Sequence, residues 1–349
     1  MKANLKKKAT IRDVAAAAGV SHQTVSRVIN DRPDVADKTR RRVQKVIKEL
    51  NYQPSAVARS LTHQRSLTLG VVIAGLELYG PAQILNGIAS QANEMGYALL
   101  LRELPSFDIN QVAPILNPLL ARQVDGIIWA VPQVGDNRDW TRQQGFELPA
   151  PTVFIAMQAR PDLPIVSIDN RAGGRIATEH LLEQGYRHIA HISGPLGWWD
   201  ASERKVGWQD ALRDAGSQVT GQNWELGDWS AASGERAIHR LLDKYPGMDA
   251  VFTANDQTAL GVLRAIHQEG LHVPQDLAVV GFDNTVESAY YWPALTTIEQ
   301  DLQKLGCTAV RELVHIIETH QKGETAEAKN IFLQPKLVAR ESSQARPLD

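Results

Sequence analysis

The chain has 349 residues, of which 43% are apolar, enough for more than one domain with a buried core. Its single cysteine excludes an intrachain disulfide and a cysteine-based zinc site. The net charge of −2 is unevenly distributed, since residues 1–62 carry 14 Lys and Arg against 5 Asp and Glu. This basic segment of +9 on a body near −11 is typical of a protein that binds a polyanion.

The N-terminal residues MKANLKKKATIRD are basic, but no apolar segment follows them, so we expect no secretory signal. The chain has no run of about 18 apolar residues, and we expect no membrane span. We therefore expect a cytoplasmic protein, in which the single thiol stays reduced.

Three short helices are predicted in the basic segment. Thr10 is a good N-cap for the first helix, and Gly19 ends it because glycine readily takes a positive φ. Ser21 caps the second helix, and the third runs from about Asp37 to Leu50. Their apolar stripes are Val14, Ala15 and Ala18, then Val25, Val28 and Ile29, and then Val43, Val46, Ile47 and Leu50.

The first two helices are spaced as in a helix-turn-helix, whose second helix meets base edges in the major groove of DNA. On that helix His22, Gln23 and Arg27 share roughly one side. Gln23 can pair with adenine, Arg27 with guanine, and His22 can donate or accept. Groups suited to phosphate oxygens are Thr10, Ser21, Thr24, Ser26, Thr39 and Arg40. The alternative interpretation is a generic three-helix bundle with a polar face.

Residues 54–64 have few large apolar groups and are predicted to be a linker that can form one or two helical turns. From Ser66 onward, continuous apolar runs alternate with helical stretches, which predicts parallel α/β sheets covered on both faces. The runs are at 67–75, 97–103, 124–131, 151–157, 188–194, 249–255 and 277–283. About 275 residues of this pattern are enough for two lobes.

Three polar side chains lie just past predicted strands of the body, where open α/β sheets bind ligands. Arg204 and Asn255 offer donors, and Asp283 offers a carboxylate, a set suited to the hydroxyls of a polyol. Asp283 and Asp256 together allow an alternative, a glycosidase with paired carboxylates. We interpret His188 and His191 as packed histidines rather than metal ligands, because no Cys or Glu nearby completes a site. No phosphate loop is present, and no cofactor is expected.

The stretch from IRDVAAAAGVSHQTVSRVIN to QPSAVARSL resembles the headpiece and hinge of the LacI/GalR family. The resemblance extends to about Arg340 through HISGPLG, RKVGW, GDWSAASG, ANDQTALG, VVGFDNT and LTTIEQD. It implies an all-α helix-turn-helix headpiece (1–53), a hinge helix or linker (54–65) and a tail (341–349). Residues 66–340 are then an α/β two-lobe sensor and dimerisation domain of the type I periplasmic-binding-protein kind. Its first lobe takes about 66–167 and 298–325, and its second about 168–297 and 326–340.

For DNA, the resemblance implies a homodimer on a near-palindromic, double-stranded operator in a bacterial nucleoid. It adds Asn30 and Tyr52 to the contacts, and Ser55 in a hinge that becomes helical on the operator. Leu61 matches the leucine that wedges into the minor groove, and Ala58 the small residue that lets two hinges approach. His22 stands where a sugar-binding member of the family has tyrosine, so the operator sequence stays open.

For the body, the resemblance implies an effector cleft between the lobes, in which Arg204, Asn255 and Asp283 contact a sugar. Further positions aligned with the family's pocket are Ala74, Leu78, Pro81, Ile84, Trp229, Gln300 and Leu302. Ala74, Ala130, Ala156 and Leu302 replace the serine, asparagine, aspartate and phenylalanine of a sugar-binding member. Aromatic residues expected at the rim are Tyr79, Trp129, Trp198, Trp199, Tyr291 and Trp292. These replacements led us to the hypothesis of a saccharide that depends on stacking, such as a disaccharide or glycoside.

The leading interpretation is an allosteric repressor released from DNA by a saccharide. The alternatives are a regulator that needs a corepressor, a transporter's solute-binding protein, or the glycosidase. The basic segment argues against the solute-binding protein. The chain ends PKLVARESSQARPLD without leucine heptads, which predicts a dimer joined through first-lobe surfaces.

Overall fold

The computed structural model describes residues 9–29, 31–52, 65–109, 111–143 and 147–344. The chain divides into two compact units, a head (Met1–Leu67) and a body (Thr68–Asp349). Among the described residues, no helix is long and apolar enough to cross a membrane.

The described residues of the head form three helices, α1 (Ile11–Ala18), α2 (His22–Ile29) and α3 (Asp37–Glu49). Thr10 caps α1 in a reciprocal capping box, because its backbone N–H donates to Asp13 Oδ2 over 2.8 Å while its hydroxyl accepts from Asp13 N. Gly19 ends α1 in the left-handed region at φ +63°, as predicted. Ser21 Oγ accepts from Thr24 N over 3.1 Å at the start of α2, which confirms the predicted cap.

The three predicted stripes form the core of the head, with one exception. Val14, Val25 and Val43 are fully buried, and Ile29 and Ile47 pack against the same cluster. Leu50 was predicted to be buried and is 39% exposed, because α3 ends at Glu49 and the chain turns away. Tyr52 takes its place in the core, with only 9% of its surface exposed.

In the part of the body that the structure describes, twelve strands form two sheets. The strands are β1 (Thr68–Ala74), β2 (Ala98–Leu104), β3 (Gly126–Ala130), β4 (Thr152–Ile155), β5 (Ile165–Ile168), β6 (Ile189–Ser193), β7 (Trp224–Leu226), β8 (Ala250–Thr253), β9 (Ala278–Asp283), β10 (Thr296–Glu299), β11 (Asn330–Leu333) and β12 (Lys336–Val338). The first-lobe sheet has the order β11-β5-β4-β3-β1-β2 and is parallel throughout. The second-lobe sheet has the order β12-β10-β9-β8-β6-β7 and is parallel except for β12.

Helices cover both sheets, as the alternating sequence pattern predicted. They are α4 (Tyr79–Glu94), α5 (Ala113–Leu120), α6 (Asn170–Glu183), α7 (Trp199–Asp214), α8 (Ala231–Lys244), α9 (Asp256–Gln268) and α10 (Leu302–Gln321). Within pairs such as α4 with α10, glycines allow close approach: a Cβ on Gly87 would lie 2.1 Å from the Gln303 carbonyl oxygen.

The chain crosses between the lobes three times, after β5, after β10 and after β11. Two predicted boundaries are wrong near the C-terminus. Residues 326–340 were assigned to the second lobe, yet β11 pairs with β5 in the first-lobe sheet. Residues 341–349 were expected to form a tail, yet Ser342 and Ser343 are fully buried, and Ser342 Oγ donates to the Val279 carbonyl over 2.6 Å. The second error has a physical reason. The segment after β12 is held in place by hydrogen bonds, and these leave no apolar pattern in the sequence from which its burial could be predicted.

Candidate functional site

A cleft with a cavity volume of about 180 Å³ lies between the two lobes. The first lobe contributes the start of α4 and the segments after β3 and β4, and the second contributes α7 and the segments after β8 and β9. The lining residues are Glu77, Leu78, Tyr79, Gly80, Pro81, Ile84, Pro132, Ala156, Ile168, Asn170, Trp198, Asp200, Arg204, Trp229, Asn255, Gln257, Asp283, Gln300, Leu302 and Leu305. Most of the polar groups therefore converge from the second lobe, and the first-lobe wall is apolar apart from Glu77 and Tyr79.

Arg204, on α7, is the central cation of the cleft and is 5% exposed. Its Nε donates to Asn170 Oδ1 over 2.8 Å, and its Nη1 donates to the Ala254 carbonyl over 2.5 Å. Its guanidinium lies over the Phe282 ring, 3.8 Å from the centroid. These contacts fix the position of Arg204 before any ligand arrives.

Asp283 faces Arg204 at the end of β9, with 3.9 Å between Oδ1 and Nη1. Gln300 Nε2 donates to the same carboxylate oxygen. Burial raises the pKa of Asp283 to about 6, although Arg204 and the Gln300 hydrogen bond act in the opposite direction. The backbone at Asp283 has φ +116°, a conformation that side chains rarely adopt. Such strain at a buried carboxylate is typical of a functional site.

Asp256 lies behind this carboxylate and does not line the cleft. It is fully buried and accepts hydrogen bonds from Thr297 Oγ1 over 2.6 Å and Thr285 N over 2.8 Å. Burial, followed by the charge of Asp283, raises its pKa to about 7. Asp256 and Asp283 therefore do not flank a ligand as the two carboxylates of a glycosidase must.

Trp229 and Trp198 form an aromatic wall, with 5.7 Å between their ring centroids. The Trp229 ring lies directly over Gly194, where an added Cβ would come within 2.3 Å of it. Trp229 itself has φ +72°, and its carbonyl accepts from Asn255 Nδ2 over 3.0 Å. The flat face suits the C–H surface of a saccharide ring.

Asn255 and Asp200 start the two helices that border the cleft. Asn255 caps α9, since its Oδ1 accepts from Thr258 N over 2.9 Å. Asp200, in the first turn of α7, accepts from Asn170 Nδ2 over 2.8 Å. Burial raises the pKa of the Asp200 carboxyl, and Arg204 partly offsets the rise.

Nine of the eleven residues predicted to bind an effector line the cleft, namely Leu78, Pro81, Ile84, Arg204, Trp229, Asn255, Asp283, Gln300 and Leu302. Trp129 does not, because it is fully buried in the first-lobe core, 4.8 Å from the Trp140 ring. Ala74 is also fully buried in that core. Asp200 and Gln257 also line the cleft and were not predicted from the sequence. Asp200 could have been found from its place one helical turn before Arg204.

The two histidines that were considered as metal ligands, His188 and His191, lie in different surroundings. His191 is fully buried and stacks on Phe252 with 4.8 Å between ring centroids, and its Nδ1 lies 2.9 Å from the Phe252 carbonyl. Burial lowers its pKa to about 3. His188 lies 3.3 Å from the Tyr245 hydroxyl at the opposite end of β6 from the cleft.

In the head, His22, Gln23 and Arg27 are exposed on α2, opposite the buried Val25 and Val28. The Arg27 guanidinium pairs with Asp34 over 3.2 Å, and both side chains are more than half exposed. An exposed ion pair of this kind is weak, so Arg27 stays available to a base.

The remaining residues expected at DNA divide into three groups. Thr10, Ser21 and Thr24 are engaged in helix caps, and Arg40 bonds to Asp31 over 2.8 Å, so they stabilise the head as well. Ser26 and Thr39 are half-buried, and Tyr52 packs in the core. Asn30, Ser55, Ala58 and Leu61 lie outside the described residues.

A model described as bacterial regulatory proteins, lacI family, matches residues 10–55, and one described as a periplasmic binding protein-like domain matches residues 178–343. The lactose operon repressor of Escherichia coli (strain K12) is 35% identical over 97% of this chain and 92% of its own length. The chain belongs to the lacI family of bacterial regulatory proteins. It is thus a DNA-binding transcriptional regulator with a ligand-binding body.

Other members of the lacI family cover the chain to a similar extent. The HTH-type transcriptional repressor PurR of Aliivibrio fischeri (strain ATCC 700601 / ES114) is 36% identical over 96% of this chain and 98% of its own length. The Lac repressor dimer bound to operator and the anti-inducer ONPF matches with a TM-score of 0.84 and 34% identity, over 97% of this chain and 100% of the other. The transcriptional regulator CelR in complex with cellobiose matches with a TM-score of 0.70 and 33% identity, over 96% and 99%. These relatives are transcription regulators rather than enzymes.

Proposed function

We propose that this regulator is a cytoplasmic repressor that binds a near-palindromic DNA operator as a homodimer and is released from it by a saccharide. The observation that carries the proposal is the pairing of Arg204 and Asp283 with the Trp198–Trp229 wall in one cleft. Carboxylate, amide and guanidinium groups hold hydroxyls, and the tryptophans cover the C–H faces of a sugar ring. The similarity to the transcriptional regulator CelR, whose structure is a complex with cellobiose, supports this class of ligand.

The cleft can couple a ligand to DNA because it is built from both lobes. A ligand that bridges Asp283 on the second lobe and Leu78 on the first favours one lobe arrangement over another. It shifts the equilibrium by its difference in affinity for the two arrangements. We propose that the sugar-bound arrangement disfavours operator binding.

A homodimer is supported by exposed apolar surface on the body. Val286, Tyr290 and Trp292 lie within seven residues of one another and are 76%, 85% and 93% exposed. Three such side chains together are unusual on a monomer. Leu101, 45% exposed on the edge strand β2, supports the first-lobe surface that the sequence analysis favoured.

The test uses full-length protein and an operator obtained by selection from random DNA. Lactose, cellobiose and their aryl glycosides are titrated while operator binding and tryptophan fluorescence are followed. We expect a saccharide to lower operator affinity and to change the fluorescence of the Trp198–Trp229 wall. Arg204→Gln should lose both responses, whereas Arg213→Gln, on the exposed side of the same helix, should keep them.

The same titration separates the alternatives. If a saccharide tightens operator binding, the protein is a corepressor-dependent regulator. If no saccharide changes either signal, the effector belongs to another class and the saccharide proposal fails.

A further inference from the structure

The cleft carries more negative than positive charge. Its lining holds the carboxylates of Glu77, Asp200 and Asp283 against the guanidinium of Arg204, a formal charge of −2. No lysine or histidine is among the described residues that line it. The buried Asp256 adds a further carboxylate whose charge interacts with Asp283. An incoming anion therefore meets an unfavourable potential.

Arg204 already uses three of its five N–H groups in hydrogen bonds within the protein. Each of its three nitrogens donates to the protein: Nε to Asn170, Nη1 to the Ala254 carbonyl, and Nη2 to Gln300 Oε1 over 3.5 Å. Phe282 covers one face of the guanidinium. One N–H remains on each terminal nitrogen, so Arg204 can still donate to a ligand. Its single positive charge is nevertheless outnumbered by the three carboxylates of the lining, which an anion would have to approach.

The Asp200 carboxylate, by contrast, can accept further hydrogen bonds. Among the described residues, Asn170 is the one hydrogen-bond donor recorded for its carboxylate, which accepts at Oδ1. A carboxylate can accept about four hydrogen bonds, so the second oxygen and part of the first stay open to the cleft. The side chain is half-buried and lies on the same helix as Arg204, four residues earlier. A hydroxyl or a protonated amine of a ligand satisfies this oxygen, and an anionic group does not.

We infer that the effector carries no negative charge, and that Asp200 is the residue that excludes phosphorylated and carboxylated sugars. The inference rests on the proposed saccharide effector and narrows it to hydroxyl-rich molecules that are neutral or cationic. Hydroxyls donate to Asp200 and Asp283, whereas a phosphate must be stripped of water beside two carboxylates.

The experiment compares matched neutral and acidic sugars on full-length protein by tryptophan fluorescence and calorimetry. The pairs keep the sugar ring and differ in charge: phenyl glucoside with phenyl glucuronide, phenyl galactoside with phenyl galacturonide, and glucose with glucose 6-phosphate. We expect the neutral member of a binding pair to bind at least about tenfold more tightly. Asp200→Asn keeps the shape and the Asn170 contact, and should reduce that ratio several-fold. Asp243→Asn removes an exposed carboxylate of the same lobe outside the cleft lining and should leave the ratio unchanged.

Three results overturn the inference. If an acidic sugar binds as tightly as its neutral partner, charge exclusion is wrong while the saccharide proposal stands. If the ratio is unchanged in Asp200→Asn, another group excludes anions. If neither member of any pair binds, the saccharide proposal and this inference fail together. Thermal melts of both variants show whether a loss of binding reflects unfolding.

Discussion

The backbone N–H of Trp199 donates to the carbonyl of Gln133 over 3.0 Å and thereby joins the two lobes beside the cleft. Gly135 N donates to the Gly197 carbonyl over 2.8 Å, and Val134 forms an antiparallel bridge with Trp198. We call residues 133–135 and 197–199 the interlobe clasp. Because Trp198 is also part of the aromatic wall, the clasp links lobe closure to the ligand surface.

Asn137 orders the first-lobe side of the clasp and gives a test of its role. Its Nδ2 donates to the Pro132 and Phe107 carbonyls, and its Oδ1 accepts from Val134 N. Asn137→Ala leaves these buried groups unpaired, at a cost of about 1–3 kcal/mol in the free energy of unfolding. We expect a lower Tm and weaker effector binding by titration, because fewer molecules hold the closed arrangement. Asn117→Ala, on the exposed side of α5, is the control. Unchanged effector affinity in a folded Asn137→Ala protein would argue against the clasp.

Stability should fall as pH rises through neutrality, because of the buried carboxylates. The pKa of Asp256 is raised to about 7 and that of Asp283 to about 6. Folding raises both values above those of the unfolded chain, so their contribution is complete below about pH 4 and is lost as pH rises through 6 and 7. His191, with its pKa lowered to about 3, acts in the opposite direction below its unfolded value of about 6.5.

The measurement is therefore the difference in Tm between the ligand-free wild type and Asp256→Asn from about pH 5 to 8, because the opposing slope of His191 is common to both proteins. We expect the wild-type Tm to fall relative to that of Asp256→Asn as pH rises towards 7. Asp243→Asn, at an exposed position, should follow the wild type. A Tm difference between wild type and Asp256→Asn that does not change with pH contradicts the raised pKa of Asp256.

Gly194 is predicted to set the position of the aromatic wall. Alanine there places a Cβ about 2.3 Å from the Trp229 ring, so the ring must move. Overpacking of this kind costs about 1–3 kcal/mol. We expect Gly194→Ala to weaken effector binding and to alter the tryptophan emission spectrum. Gly221→Ala, where a Cβ meets nothing within 4 Å, should change neither. Normal affinity in Gly194→Ala would exclude stacking on Trp229.

Arg27 is predicted to read a base, whereas other exposed arginines of the head add affinity without specificity. Arg27→Ala should relax the preference at one position of the half-site and cost about 1–3 kcal/mol in operator binding. Arg42→Ala, exposed on α3, should leave the base preference unchanged. Binding-site selection at several salt concentrations measures both effects, and operator affinity should fall steeply with salt because the segment 1–62 has a charge of +9. An unaltered selected site in Arg27→Ala contradicts this role.

Trp292 and Leu101 are predicted to lie in dimer contacts. A buried carboxylate opposes association, so Trp292→Asp and Leu101→Asp should each raise the dimer dissociation constant at least about tenfold. Analytical ultracentrifugation over a concentration series gives both constants. If Trp292→Asp alone acts, the second-lobe surface forms the dimer and the first-lobe prediction is wrong. If neither substitution raises the dissociation constant, both surfaces are excluded from the dimer contact.

Much of the fold was predictable because the periodic signals are local. The capping box at Thr10, the turn at Gly19 and the apolar stripes of the head depend on residues within one or two helical turns. Strand ends are equally local, and in a parallel sheet they converge on one edge, which is why Asn255 and Asp283 were found. Leu50 was misassigned because a helix end cannot be placed to within one residue from periodicity.

The errors and omissions concern groups whose surroundings come from distant parts of the chain. Trp129 was expected at the rim, but its neighbour Trp140 and the strand pairing of β3 with β1 bury it in the core. The lobe to which β11 belongs was predicted wrongly. A strand of four residues does not show from its sequence which of the two sheets it joins, because that depends on where the chain crosses between the lobes. No sequence motif marks Asp200 as a site residue. Its position in the cleft depends on a hydrogen bond with Asn170, thirty residues away in the chain.

The sequence by itself determined that a basic helix-turn-helix precedes an acidic two-lobe α/β body, because charge, helix caps and apolar periodicity act over short distances. The tertiary structure decided which polar groups share the cleft and how many of their hydrogen bonds are already used. Arg204 uses three of its five N–H groups on partners from different elements, whereas the Asp200 carboxylate accepts from Asn170 and can accept further hydrogen bonds. That difference sets the expected charge of the ligand. It depends on burial and on contacts between residues up to about 100 positions apart, which no local pattern encodes.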